Sequence, residues 1–221
     1  MIKINIKNTK RIPDIVIEER LPKYLRALSR MYENGTLERV SSEDLGKTLN
    51  YSAAQIRKDL SYFGRFGKQG QGYDVKKLLD RLRDILGLQN KQWNMALVGV
   101  GGLGKAILGY GRFAPQGFKI VAAFDHDPAK VGKKVAGVPV RDMKDLKDII
   151  KEENIQIGIV AVPASSAQSV IEKLEEAGIK AILNYAPITP QRGIARIQDI
   201  DPVLKLQSMT YYLKQTEQSK K

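Results

Sequence analysis

The chain has no cysteine among its 221 residues, which excludes disulfides, thiolate metal sites and a cysteine nucleophile together. Histidine is nearly as scarce. His126 stands alone, leaving little for a zinc site or a serine–histidine triad, so no metal is expected. No apolar run approaches the roughly 18 residues a membrane span needs. Met1-Ile2-Lys3-Ile4-Asn5-Ile6-Lys7 lacks the apolar region and cleavage site of a signal peptide. These absences predict a cytoplasmic protein with no membrane partner.

Acidic residues are also in deficit, 24 against 37 Lys and Arg, for a net charge of +13. Such an excess suits nucleic acid, although a solvated lysine surface produces it too. Its distribution is uneven: residues 1–88 hold 18 basic and 11 acidic side chains, and the longer stretch 89–221 holds 19 and 13. An apolar content of 43% supports real cores and excludes wholesale disorder. A composition break at Gly87-Leu88-Gln89-Asn90-Lys91-Gln92-Trp93-Asn94 divides the chain into domains 1–88 and 89–221.

In the first domain Ile17, Leu21, Leu25, Leu28 and Tyr32 recur at helical spacing and predict one buried face. Pro22 either begins the regular helix or kinks it, and Asn34-Gly35 stops it. Ser41-Ser42-Glu43-Asp44 caps a short second helix. Ser52-Ala53-Ala54-Gln55 then has the form of a capping box, and a tight turn before the third of three helices is helix-turn-helix organisation. On the third helix Ala53, Ile56, Leu60 and Phe63 share one side. The other carries Ala54, Lys58, Ser61 and Tyr62, flanked by Gln55 and Arg57. That face offers small residues for close approach, two cations for phosphate or guanine, and neutral hydrogen-bonders. The next ten residues, Gly64 to Tyr73, contain four glycines with Arg65 and Lys68, which suits a β-hairpin wing touching DNA.

The second domain opens with a strand candidate, Asn94-Met95-Ala96-Leu97-Val98. It runs into Gly99-Val100-Gly101-Gly102-Leu103-Gly104 and then a helix from Lys105. Strand, G-x-G-x-x-G and helix in that order form the dinucleotide-binding fingerprint. Gly99 permits the tight turn, Gly101 lets main chain reach a pyrophosphate, and Gly104 lets the helix pack on the strand. Asp125 ends the next strand, 26 residues after Gly99. A carboxylate there accepts from ribose hydroxyls and repels a 2′-phosphate, which favours NAD(H) over NADP. Capping ahead of Pro128 suits Asp127 better. Further strands end at Ala161-Val162-Pro163 and at Asn184-Tyr185, where a doubly wound sheet would place the nicotinamide or a plain loop. Leu206, Met209 and Leu213 make an apolar stripe near the chain's end, available to its own core or to a partner subunit.

The chain resembles Rex, the bacterial redox-sensing transcriptional repressors, from about Ile12 to Leu213. The resemblance rests on Gln55-Ile56-Arg57-Lys58-Asp59-Leu60-Ser61-Tyr62-Phe63-Gly64, Gly70-Gln71-Gly72-Tyr73, the Val98–Gly104 segment and Leu183-Asn184-Tyr185-Ala186-Pro187. Tyr185 stands where phenylalanine is expected in many members, and residues 1–11 form an extra basic arm. The resemblance implies an α/β protein with an N-terminal winged helix-turn-helix and a C-terminal Rossmann domain, dimeric through a swapped terminal helix. It implies that a homodimer binds palindromic operator DNA when apo or NAD⁺-bound and that NADH releases it. It also implies that Arg26 pairs with Asp201 in the DNA-binding arrangement. The competing class is an NAD-dependent dehydrogenase. His126 is at the wrong end of the cofactor for acid–base work, and Tyr73 with Lys77, the one Tyr-x-x-x-Lys, precedes the fingerprint. A structural NAD-binding subunit without DNA activity would leave Arg57, Lys58 and the wing unexplained.

Overall fold

Two units, Met1–Lys91 and Gln92–Lys221, make up the chain in a computed structural model. It describes residues 12–35, 38–68, 70–191 and 193–218, except the side chain of Lys68. The basic arm 1–11 lies outside the described residues.

The first unit begins with a π-turn, Val16–Arg20, that leads into α1 (Leu21–Glu33) with Pro22 in its first turn. Proline has no N–H and its ring collides with the carbonyl four residues back. The wider turn relieves this, as Leu21 N–H reaches past the usual partner to Val16 O. One added residue per turn also corrects the predicted buried face. Val16, Leu21, Tyr24, Leu25 and Leu28 are buried, whereas Ile17 is 37% exposed and Tyr32 50%.

Next come β1 (Arg39–Val40), α2 (Ser42–Leu49) and α3 (Ala53–Ser61). The Ser41 hydroxyl accepts Asp44 N–H and the Ser52 hydroxyl accepts Gln55 N–H, each satisfying an amide left open at a helix start. Asn50, in the left-handed conformation at φ 57°, ends α2 and turns the chain into α3. A hairpin of β2 (Gly67–Lys68) and β3 (Gly72–Asp74) follows, and β3 pairs antiparallel with β1, giving the order β1-β3-β2. The helix α4 (Val75–Ile85) closes the core, in which Leu45, Ile56, Leu60, Leu78 and Leu82 meet α1. This is a winged helix-turn-helix.

The second unit is a seven-stranded sheet: β4 (Trp93–Val98), β5 (Phe118–Asp125), β6 (Lys134–Val135), β7 (Val138–Asp142), β8 (Ile157–Val160), β9 (Ala181–Asn184) and β10 (Arg196–Asp199). Its order is β10-β9-β8-β4-β5-β7-β6, with every pairing parallel except that of β6. The crossovers include α5 (Gly102–Leu108), α6 (Leu146–Glu152) and α7 (Ala164–Glu176). Along β4, Met95 and Leu97 enter one core while Ala96 and Val98 enter the other, so the sheet is covered on both faces, as parallel sheets require. The order reverses between β4 and β8, the switch point at which such folds bind ligands. The terminal helix α8 (Pro202–Gln218) has no buried residue, although it carries Leu206, Met209 and Leu213.

Candidate functional site

On α3 the exposed residues are Ala54, Arg57, Lys58 and Ser61, three and four apart and so on one face. Ser61 Oγ donates to the Lys58 carbonyl at 2.7 Å. Arg57 Nη1 donates to Ser42 Oγ at 2.8 Å and Glu43 Oε1 at 3.0 Å, both on α2. Two predicted members of the face are occupied elsewhere: Tyr62 packs on the core, and the Gln55 amide donates to Asp59 Oδ1 at 2.7 Å. Arg65 is exposed at the start of the wing. Arg39, not anticipated, braces that wing by donating to the Gln71 and Gly72 carbonyls at 2.7 and 3.2 Å.

Asp59 is the residue that sequence reasoning missed. It is 0% exposed between the apolar Ile56 and Leu60. Arg20 donates to Oδ1 at 2.9 Å and its Nε lies 2.6 Å from Oδ2, while Tyr24 Oη donates to Oδ2 at 2.7 Å. Burial, then Asp59, pushes the Tyr24 phenol far up. An acid lying on the apolar arc of a predicted helix was the available signal.

In the second unit Gly99 adopts φ +99°, and a Cβ there would meet the Ala161 carbonyl and the Val162 side chain. A Cβ on Gly104 would overlap the Gly99 carbonyl oxygen, so α5 can lie against β4 only with glycine there. At Gly101 and Gly102, by contrast, a Cβ would meet nothing within 4 Å. The loop is thus crowded beneath and open above, a cradle suited to a pyrophosphate. Leu103 is half-exposed beside it.

Asp125, expected to face a ribose, is 4% exposed. Its Oδ2 accepts Val100 N–H at 2.8 Å and Lys130 Nζ at 3.0 Å, and its Oδ1 accepts Asp127 N–H at 2.9 Å. Burial raises the carboxyl's pKa, but the Asp127 amide, Lys130 and the Val100 amide outweigh it and hold the group below the ordinary range. One oxygen keeps capacity for a further donor, so the carboxylate shapes the loop and can still meet a ribose hydroxyl. His126 is 94% exposed. Asp127 caps the following turn by accepting Ala129 N–H.

Across the switch point Ala161 and Val162 are half-buried, and Pro163 caps α7. Asn184 is fully buried and its amide is already engaged, with Nδ2 on the Ala186 carbonyl and Asp199 and Oδ1 accepting Ala186 N–H. It orders the loop around Tyr185, a half-buried residue whose phenol burial pushes up, with Tyr110 adding to the shift. Asp201 accepts Val203 N–H at 2.8 Å and so begins α8, and Arg26 is exposed on α1. Among the described residues no cluster of three or more His, Asp or Glu could hold a metal ion.

Fold and sites define a two-unit protein, a winged helix-turn-helix joined to a doubly wound nucleotide-binding sheet. Residues 11–61 match the family model "Putative DNA-binding protein N-terminus", and residues 90–188 match that of a CoA binding domain. The redox-sensing transcriptional repressor Rex of Chloroflexus aurantiacus is 53% identical over 202 residues, 91% of this chain and 94% of that one. Rex 1 of Thermotoga maritima is 43% identical over 88% and 93%. The crystal structure of RSP in complex with β-NAD⁺ and operator DNA superposes with a TM-score of 0.87 at 37% identity, covering 96% of this chain and 97% of that one. RSP in complex with β-NADH gives 0.83 at 35%. The chain belongs to the Rex family of redox-sensing transcriptional repressors.

Proposed function

We propose that the protein is a repressor that reads the NADH/NAD⁺ ratio. It binds operator DNA when apo or NAD⁺-bound and leaves it when NADH binds. The carrying observation is that one chain holds an exposed cationic helix face beside a wing and a glycine cradle at a switch point, in a family whose member RSP was crystallised with NAD⁺ on operator DNA. Arg57, Lys58, Ser61, Arg65 and Lys68 meet the DNA, and Gln55 and Tyr62 hold the recognition helix in place. The segment 99–104, Asp125, the 161–163 turn and Tyr185 receive NAD(H), with Asn184 ordering that last loop. The protein catalyses no turnover.

A homodimer on a palindromic operator follows from the same reading. It is supported by α8, whose large apolar side chains Leu204, Leu206, Met209, Tyr212 and Leu213 are all more than half exposed, a cost that a partner subunit would remove. Coupling requires that NADH bind two dimer arrangements unequally. Arg26 pairing with Asp201 would favour the DNA-binding one.

The test is a gel shift on duplexes selected from a random library, titrated separately with NADH and NAD⁺. Retardation should be lost with NADH and kept with NAD⁺. Arg57→Ala and Lys58→Ala should each weaken binding by roughly 1–3 kcal/mol for a base contact, or lower the salt slope by about 1 for a phosphate contact. Equal responses to both nucleotides would sink the sensor reading.

A further inference from the structure

The geometry points to Glu43, with Ser42, as the positioning residue that sets Arg57 for base recognition. The inference rests on the reading of α3 as the DNA-facing helix and assigns that helix an orienting partner on α2. Arg57 Nη1 donates to two acceptors, Ser42 Oγ at 2.8 Å and Glu43 Oε1 at 3.0 Å. Ser42 Oγ in turn donates to Glu43 Oε2 at 3.1 Å, so hydroxyl, carboxylate and guanidinium close a ring of three hydrogen bonds. Ser42 is buried and anchors that ring to α2. Val40, just before α2, pairs with Tyr73 of β3, so the ring sits where α2, α3 and the wing converge.

A guanidinium has five donors in a rigid plane. With Nη1 fixed, the Nε and Nη2 donors remain, and among the described residues neither has a hydrogen-bond partner. Those two parallel donors form the edge that guanine O6 and N7 accept from. An arginine already held in plane loses less freedom on contact than a free one does. Glu43 also places a negative charge beside the DNA-facing surface, which opposes binding to any phosphate backbone alike. The carboxylate therefore acts on discrimination: it weakens indiscriminate attraction and strengthens the one contact that reads a base.

The test compares Glu43→Ala, Arg57→Ala and the double variant, using anisotropy at fixed salt on a selected duplex and on its scrambled counterpart. The Glu43 side chain is 59% exposed, so its loss should leave the fold intact, and a melting curve checks this. Glu43→Ala should bind the scrambled duplex more tightly while its selected-to-scrambled ratio falls by about tenfold, the scale of one bidentate base contact. Glu43→Gln, which keeps an acceptor oxygen, should recover part of the ratio. In the Arg57→Ala background the Glu43 substitution should leave the ratio unchanged. A merely structural role in α2 would weaken both duplexes alike and overturns the assignment. So does a ratio that holds or rises, which would make Glu43 a counter-ion that Arg57 abandons on DNA. If Arg57→Ala itself leaves the ratio intact, the DNA-facing reading of α3 fails, and this inference with it.

Discussion

Each unit holds its functional element with a buried aspartate, and the two are built differently. Asp59 gathers side chains from a distance: Arg20 and Tyr24 lie 39 and 35 residues upstream, and only Gln55 is local. Asp125 gathers main-chain amides, those of Val100 and Asp127, with Lys130 from the next turn. The first arrangement pins a finished helix to α1 from behind. The second moulds a loop whose shape is its function. A buried ion pair broken on one side leaves an uncompensated charge, whereas a lost backbone bracket loosens only its own loop.

The largest effect should therefore come from Asp59→Ala. Stranding the part-buried Arg20, 15% exposed, should destabilise the first unit by about 3–5 kcal/mol. Urea unfolding by circular dichroism should show an early transition, while fluorescence of Trp93, the only tryptophan and a residue of the second unit, should stay near its original midpoint. Coincident early transitions by both probes would mean that the units do not unfold independently. Tyr24→Phe keeps the ion pair and loses one hydrogen bond to a charge, so about 1.5–3 kcal/mol is expected.

The glycine loop sharpens the contrast, because two glycines in one motif should fail in different ways. Gly104→Ala would press a methyl group onto the Gly99 carbonyl, an overpacking that costs about 1–3 kcal/mol and loosens the loop as well. At Gly101 a Cβ would meet nothing within 4 Å, so Gly101→Val should change stability by no more than about 0.5 kcal/mol, yet NADH binding should be lost. Calorimetric titration with thermal melting separates the two. Retained NADH affinity in Gly101→Val would remove the pyrophosphate from this loop.

The same difference decides what the sequence revealed. Strand, glycines, helix and Asp125 lie within about thirty consecutive residues, and short-range geometry imposes their spacing, so that region was legible in order and type. The wing was legible because four glycines in ten residues have few other uses. The face of α1 was read one position off at its start, since the π-turn around Pro22 breaks the 3.6-residue period on which such reading depends. Gln55 and Asn184 looked like ligand-facing polar residues, and each instead satisfies a buried neighbour, Asp59 and the Ala186 main chain respectively. An acid on the apolar arc of α3 signalled burial, but no local pattern reports a partner 39 residues away, and so the role of Asp59 stayed hidden.

The smallest expected effect is in the pH dependence, where the two aspartate sites should differ in the sign of the limb they produce. Asp125 has a depressed pKa in the fold. Between its folded and unfolded values the unfolded chain binds the extra proton, so its contribution is complete above the ordinary carboxylate value of 3.8 and is lost as pH falls through the folded value. Beside Asp59 the titrating group is Tyr24, whose pKa is raised. Its contribution is complete below the ordinary 10.0 and declines above it, because the unfolded phenol ionises while the buried one keeps its proton. Asp125→Asn should thus flatten the acid limb of the second unit, reported by Trp93. The limb should shrink without vanishing, because the Lys144 amide also holds Asp142 of that unit below the ordinary range. Tyr24→Phe should shrink only the alkaline limb of the first unit, without abolishing it, because burial also raises the Tyr73 phenol there. Urea midpoints of both variants between pH 3 and about pH 10.5 resolve the two limbs. An acid limb undiminished in Asp125→Asn would show that Val100, Asp127 and Lys130 do not hold this carboxylate in solution, and the contrast between the two aspartates would reduce to Asp59 alone.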